Sequence, residues 1–386
     1  MEKIIPYGRQ YLDEEDIAAV VEVLRSDYLT TGPRVIEFEK RLAEKVGARF
    51  AVTFSSGTAA LHAAYFAAGL KPGEEVIVSP ITFAATANAA LYLGGVPVFV
   101  DIAPGSFNID VAAIEAAITP RTRIIAPTDM AGIPVDIDSI MEIAQKYNII
   151  VVEDAAHALG AFYKGTPVGS RAHLTIFSFH PVKSITTGEG GAVVTNDASL
   201  YERLLLFRNH GITRSAQKFI NKNAGPWYYE MQLLGYNFRL TDIQCALGIS
   251  QLKKLEQFIK RRKEIVSIYN DAFRNNPAFT IPAHSDYVEP AWHLYILRVK
   301  SCLDRNKLIN LLFEQGVGTQ VHYIPVYRHP YYTRISPDPE AFPNAEAYYR
   351  ECLSIPLFPG LKEAEIDKVI NAVTACSKIL MDQGNC

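Results

Sequence analysis

The sequence lacks any segment suited to crossing a bilayer as a helix. Its most apolar stretch, Ala84 to Val100, is broken by Asn88, Gly94, Gly95 and Pro97 and is too short to span the hydrocarbon. Residues 1–12 carry Glu2, Lys3, Pro6 and Arg9 in place of an apolar run, so no signal peptide is expected. Cysteine is scarce and scattered. Cys245, Cys302, Cys352, Cys376 and Cys386 are odd in number and form no C-x-x-C pair. That argues against a disulfide framework and a zinc site and fits a reducing compartment, so a cytoplasmic protein is expected. An excess of one charge is also missing. With 38 Lys and Arg against 41 Asp and Glu, the net charge of −3 carries no general signal for nucleic acid and leaves room for a local phosphate pocket. No G-x-G-x-x-G fingerprint, Walker-type G-K-[ST] or G-x-S-x-G elbow occurs, which argues against dinucleotide, P-loop and α/β-hydrolase sites. Internal repeats, low-complexity tracts and heptads are absent too.

What is present is the composition of an ordinary globular chain. At 386 residues, 49% hydrophobic and 20% charged, it is long enough for two lobes. Asp13 to Ser26 reads as a helix with Ile17, Val20, Val21 and Leu24 on its apolar side. Val35 to Val46 reads as another, with Ile36 and Leu42 marking its apolar side and Phe38 off that face. From Phe50 the rhythm becomes strand, loop, helix. Apolar runs at Phe50–Phe54, Glu75–Ser79, Val96–Asp101, Arg123–Pro127 and Ile149–Asp154 alternate with helical patterns. This predicts an α/β fold with a mostly parallel central sheet covered by helices, whose ligands gather at the carboxyl ends of the strands. A helical tract from Leu200 to Tyr269 is interrupted by a loop over Thr213–Met231. Beyond it, a strand at Trp292–Val299 and helices at Arg305–Gln315 and Ala364–Met381 predict a smaller α+β C-terminal lobe. The expected division is 1–260, an N-terminal extension plus the large domain, and 261–386, the small domain.

The chain is organised around Thr175 to Thr195, in which Lys183 sits on a polar turn between two apolar strands, near Ser178, His180, Thr186 and Thr187. A lysine in a loop is ordinarily a solvated surface charge. Asp154, at the end of an apolar run, changes the weighing. A lysine and a carboxylate at neighbouring strand ends are the pair that pyridoxal phosphate chemistry requires, one to form the Schiff base and one to keep the ring nitrogen protonated. Ser55-Ser-Gly-Thr58 before a helix offers amides, hydroxyls and a helix dipole to an anion, and Ser178 points to the same phosphate. Gly188-Glu-Gly-Gly191 leads into a strand and is no dinucleotide loop. Ser178, His180 and Asp154 could be assembled into a hydrolytic triad only on paper. Asp154 and His157 with His322 and His329 match no zinc spacing. The Tyr- and His-rich segment around Tyr323, Tyr327, Tyr331 and Tyr332 reads equally well as a wall for a sugar nucleotide or as lobe core.

Ser56-Gly-Thr-Ala-Ala-Leu61, Pro80-Ile-Thr-Phe-Ala-Ala-Thr86, Glu153-Asp-Ala-Ala-His157, Phe177-Ser-Phe-His-Pro-Val-Lys183, Gly188-Glu-Gly-Gly191, Gly235-Tyr-Asn-Phe-Arg239 and His322-Tyr-Ile-Pro325 together resemble the DegT/StrS family of sugar aminotransferases. The matches run in family order from about Tyr7 to Pro359. The resemblance implies a pyridoxal phosphate-dependent transferase of fold type I, working as a homodimer with shared active sites. It implies Lys183 as the Schiff-base lysine and Asp154 at the pyridine nitrogen. Ser56, Gly57, Thr58 and Ser178 would hold the phosphate, Phe83 would stack on the ring, and His157 would lie near the phenolic oxygen. Asn237 would reach the partner's phosphate. Within the family, the segments ending in Ala161 and Thr187 resemble the pseudaminic acid branch. That branch implies amination by glutamate of C4 of UDP-2-acetamido-2,6-dideoxy-β-L-arabino-hexos-4-ulose. Substrate contacts are then expected at Tyr7, Asp27, Tyr28, Leu29, Thr30, His180, Val321, His322, Tyr323 and Ile324. The loop with Trp227-Tyr-Tyr229 also resembles spore-coat polysaccharide aminotransferases, which leaves the sugar open. Three rivals stand against this reading. A dehydratase of the same fold would carry histidine in place of Lys183. A non-catalytic sensor or scaffold would be expected to lose Lys183, Asp154 or Ser178. A nicotinamide-dependent dehydrogenase needs the missing glycine fingerprint.

Overall fold

The computed structural model describes residues 4–222, 225–335 and 338–385. Two helices, α1 (Glu14–Leu24) and α2 (Pro33–Val46), precede a seven-stranded sheet. Its strands are β1 (Phe50–Phe54), β2 (Glu75–Val78), β3 (Val96–Phe99), β4 (Thr122–Ala126), β5 (Ile150–Asp154), β6 (Leu174–Ser178) and β7 (Gly191–Thr195). They lie in the order β1-β7-β6-β5-β4-β2-β3. Only β7 runs against its neighbours, pairing antiparallel with β1 and β6, so the mostly parallel α/β sheet is as expected. The runs Val76-Ile77-Val78 and Ile124-Ile125-Ala126 are buried on both faces, which is why they read as continuous apolar strings. Helices α3 (Gly57–Ala67), α4 (Ala85–Tyr92), α5 (Ile137–Tyr147) and α6 (Ala198–Arg208) connect and cover the strands. β1 leads into Ser55, and β5 and β6 end at Asp154 and Ser178, so these residues share the carboxyl-end edge of the sheet.

Two helix faces differ from the sequence reading. In α2 the buried residues are Val35, Phe38, Leu42, Ala43 and Val46, whereas Ile36 is 70% exposed. Phe38 therefore leads the packed face, against Phe179 and the bare Gly248 of α7 (Asp242–Phe273). In α1, Ile17 and Leu24 are exposed, and Val23 with the charged Asp16 turns inward. The cause is polar. Asp16 accepts hydrogen bonds from Gln251 and Asp13 and pairs with Lys254 of α7, and these bonds set the helix's rotation.

The 32-residue helix α7 runs from the large sheet to a second layer. There β8 (Phe279–Thr280), β9 (Tyr295–Val299) and β10 (Cys352–Ile355) form an antiparallel sheet, with α8 (Arg305–Glu314), α9 (Pro343–Glu351) and α10 (Glu363–Leu380) around it. The strand expected from Trp292 starts only at Tyr295. Ala291 and His293 give their amides to the Gly132 and Ala131 carbonyls, and Trp292 takes a left-handed turn at φ +50°. The buried Arg262 fastens this junction, donating Nη1 to the carbonyls of Trp292, His293 and Leu357. Cys245, Cys352 and Cys376 are buried free thiols, while Cys302 is disulfide-bonded, a departure from the expectation drawn from cysteine spacing.

Candidate active site

A cavity of about 640 Å³ opens at the carboxyl ends of the strands. The large sheet brings Ser56, Gly57, Thr58, Phe83, Asp154, His157, Ser178, His180 and Lys183 to its wall. The N-terminal segment adds Tyr7, and the loop after α8 adds Val321, His322, Tyr323 and Ile324. Segments more than 300 residues apart in sequence thus line one space.

One end of the cavity is the N-terminus of α3. Ser56 caps it, accepting the Ala59 amide at 3.1 Å, and the Gly57 and Thr58 amides belong to the first turn, where no carbonyl of the helix can reach them. A Cβ on Gly57 would lie 3.0 Å from Ser178 Cβ, so the bare glycine brings amide and hydroxyl together. From behind, Gly191 presses on the same turn. A Cβ there would stand 2.6 Å from the Ser56 carbonyl oxygen.

Asp154 lies deeper and is buried. Its Oδ2 accepts the Thr86 hydroxyl at 2.6 Å and its Oδ1 the Ala156 amide at 3.2 Å. Burial raises its pKa, opposed by Thr86, Ala156 and the charge of Lys183. Lys183 sits half-buried on the turn after β6, where Thr186 and Thr187 tie back to Phe179. Burial pushes its ammonium down to about 8, with Asp154 opposing. A lysine near 8 carries an appreciable neutral, nucleophilic fraction at physiological pH.

The opposite wall is aromatic. Tyr323 meets His157 Nε2 at 3.1 Å, and Tyr7 lies against His322, whose Nδ1 faces Ser354 Oγ at 2.8 Å. Behind His157 stands His293, ring to ring at 4.2 Å. Burial, aided by Lys183 and His322, holds His157 well below the usual imidazole range, and burial takes His322 down to about 3. The wall is therefore uncharged at neutral pH. The Nδ1 atoms of His157 and His293 are both buried without a partner. Phe83 is 61% exposed in the cavity wall and offers a flat apolar face for stacking.

Five expected site residues lie elsewhere. Asp27, Tyr28, Leu29 and Thr30 are exposed beside the N-terminus of α7, where Thr30 bridges Thr241. Asn237 is exposed and bridges Asn209. Conversely, sequence reasoning gave no role to Thr82, Thr86, Thr128, Glu189 and Gln320, which line the cavity, or to His293 behind it, and His329 of the Tyr- and His-rich segment also lines it. Thr86 closes a stretch quoted for the family resemblance, but its target, 68 positions away, has no sequence signal.

Comparison with known proteins agrees with this geometry. The model of the DegT/DnrJ/EryC1/StrS aminotransferase family matches residues 10–374. The chain belongs to this family. It is 42% identical to the spore coat polysaccharide biosynthesis protein SpsC of Bacillus subtilis, over 96% of each chain. It is 41% identical to the UDP-4-amino-4,6-dideoxy-N-acetyl-β-L-altrosamine transaminase of Campylobacter jejuni, over 95% of this chain and 96% of that one. Among solved structures, the putative sugar aminotransferase Spr1654 of Streptococcus pneumoniae in its PMP form superposes with a TM-score of 0.92 at 32% identity, covering 99% of this chain and 100% of that one. Helicobacter pylori PseC, an aminotransferase involved in the biosynthesis of pseudoaminic acid, reaches 0.90 at 35% identity, covering 98% and 100%. This DegT-family chain is thus a sugar aminotransferase, and its cofactor is pyridoxal phosphate. The cavity fits that group. It offers first-turn amides beside a hydroxyl for a phosphate, a buried carboxylate for a cationic ring nitrogen, an exposed phenyl face, and a lysine of lowered pKa.

Proposed function

We propose that this DegT-family enzyme moves the amino group of glutamate to C4 of UDP-2-acetamido-2,6-dideoxy-β-L-arabino-hexos-4-ulose, a step of pseudaminic acid biosynthesis. The observation that carries the proposal is the single cavity in which Lys183 and Asp154 face the wall of Tyr7, His322, Tyr323 and Ile324. That wall is neutral, aromatic and half-buried, suited to a deoxygenated, N-acetylated sugar ring. The Campylobacter relative bears the expected product in its name.

Pyridoxal phosphate supplies an electron sink and carries the amino group between donor and acceptor. Lys183 would hold this group covalently, and its amine, when neutral, would carry the proton. Asp154 would pair with the ring nitrogen and favour its protonated state through a charge-assisted hydrogen bond. The Gly57 and Thr58 amides and the Ser178 hydroxyl take the phosphate, with Ser56 fixing the turn. Phe83 would cover one face of the ring, and His157 would lie by the phenolic oxygen. Tyr7, His180 and Val321 to Ile324 receive the sugar nucleotide.

Asn237 and Asp27 to Thr30 serve the site of a second copy in a homodimer. They are exposed and outside their own cavity, and large apolar side chains close to them in sequence, Leu24, Ile36 and Leu234, are each more than half exposed. Light scattering on the purified enzyme should give twice the 42.8 kDa chain mass.

The test of substrate is direct. With glutamate and the 4-keto sugar, mass spectrometry should find a 4-amino sugar nucleotide together with an equal amount of 2-oxoglutarate. Lys183→Ala and Lys183→Arg should give neither. If only a different nucleotide 4-keto sugar reacts, the named substrate falls and a spore-coat or lipopolysaccharide sugar replaces it, as 42% identity to SpsC also supports. If no ketosugar reacts and no cofactor binds, the non-catalytic scaffold reading takes its place.

A further inference from the structure

Asp154 is the end of a line of hydroxyl groups. Thr86 donates to its Oδ2 at 2.6 Å, the Thr86 and Thr82 hydroxyls are 2.9 Å apart, and Thr128 donates to Thr82 at 3.1 Å. Because the Thr86 proton is committed to the carboxylate, Thr82 must be the donor to Thr86. All three O–H bonds therefore point one way, toward Asp154. Thr82, Thr86 and Thr128 are each at most 5% exposed, so little water competes for these bonds. A chain of donors in such a medium polarises itself and strengthens the terminal bond. Thr86 is itself held from behind, since its carbonyl accepts the Tyr65 hydroxyl at 2.9 Å. Tyr65 belongs to α3, whose other end forms the amide turn beside Ser178.

We propose that Thr86 is the positioning residue for Asp154, aiming its carboxylate at the ring nitrogen and holding it ionised, with Thr82 and Thr128 supplying the polarisation. The inference rests on the proposed pairing of Asp154 with that nitrogen. The need for such a brace is visible around the carboxylate. Asp129 after β4 and Glu153 on β5 lie close enough that the charge of Asp154 joins burial in raising their pKa values, and Tyr65 and Tyr323 face it from α3 and from the loop after α8. Lys183 is the cation on the same side. Burial raises the Asp154 pKa, and the Thr86 bond is the foremost contribution in the other direction. Valine in place of Thr86 keeps the branched shape, leaves Oδ2 without its donor, and leaves Thr82 without its acceptor.

The experiment compares wild type with Thr86→Val, Thr86→Ser, Thr82→Val and Asp154→Asn. It reads pyridoxal phosphate affinity of the apo proteins by equilibrium dialysis and the pH profile of the glutamate half-reaction. Thr86→Val should bind the cofactor roughly tenfold to a hundredfold more weakly, the range for losing a hydrogen bond to a charged group. Its acid limb should move to higher pH, because a carboxylate that loses a donor protonates more readily. Thr86→Ser should restore most of both, and Thr82→Val should show a smaller shift in the same direction. Wild-type affinity and acid limb in Thr86→Val, alongside an impaired Asp154→Asn, would overturn the proposal. Wild-type behaviour of Asp154→Asn itself would instead sink the ring-nitrogen pairing. Should Thr86→Val fail to fold, Thr82→Val decides, and an unmoved acid limb there refutes the polarised chain.

Discussion

Replacing Gly191 by alanine tests how the phosphate end of the cavity is built. The new Cβ would stand 2.6 Å from the Ser56 carbonyl oxygen and 2.7 Å from the Gly57 nitrogen. Ordinary carbon–oxygen contacts begin near about 3.3 Å, so one side must retreat by roughly 0.7 Å. Gly191 cannot retreat easily, because it is paired with Phe54 on one side and Ser178 on the other. The α3 turn must move, and with it the Gly57 and Thr58 amides. Overpacking of this kind costs about 1–3 kcal/mol, and urea denaturation should show it. Displacing the amides should also weaken pyridoxal phosphate binding to the apo protein by roughly tenfold, the lower range for a disturbed hydrogen bond to a charged group. Gly188→Ala is the control. It has φ +79° but nothing within 4 Å of the added Cβ. It should cost about 1 kcal/mol in backbone strain and leave cofactor affinity unchanged. Wild-type affinity in Gly191→Ala, or an equal loss in both variants, would refute this account of the turn.

Three further outcomes follow from the same geometry. The rate at which the apo protein captures pyridoxal phosphate should rise with pH around a midpoint near 8, the value to which burial brings Lys183. A midpoint near the ordinary lysine value of about 10.4 would contradict it. Asp154 raises the Lys183 pKa, so Asp154→Asn should move that midpoint downward while slowing turnover severely; an unmoved midpoint would show that the two charges do not meet. Lys254→Met leaves the buried Asp16 without the cation that stands 2.8 Å away, and should cost about 3 kcal/mol in urea denaturation. A loss below about 1 kcal/mol would place this pair with ordinary surface ion pairs.

Much of the site is legible in the sequence because its parts are local. Asp154 and Ser178 stand at strand ends, Gly57 and Thr58 open a helix, and Lys183 sits on a turn between two strands. Hydrophobic alternation, a serine cap and a glycine-rich return are short-range features, and each places its residue on the same edge of a parallel sheet. The order of the strands is a different matter, since β7 inserts between β1 and β6 and brings Gly191 against Ser56.

The phases of α1 and α2 show where local reading ends. Ile17, Leu24 and Ile36 fit an apolar stripe by spacing, yet they are exposed, and the packed faces belong to Asp16, Val23 and Phe38. Spacing gives a helix its period, but its rotation is decided by what it meets, here Lys254, Gln251 and the bare Gly248 of α7. The same holds for the carboxylate's brace and the histidine behind His157. By itself the sequence determined the class of fold, and it pointed to the proposed chemistry through Lys183 and Asp154. Only the tertiary structure decided which hydroxyl reaches Asp154, because a hydrogen bond between positions 68 residues apart depends on how two elements pack and leaves no trace in either one.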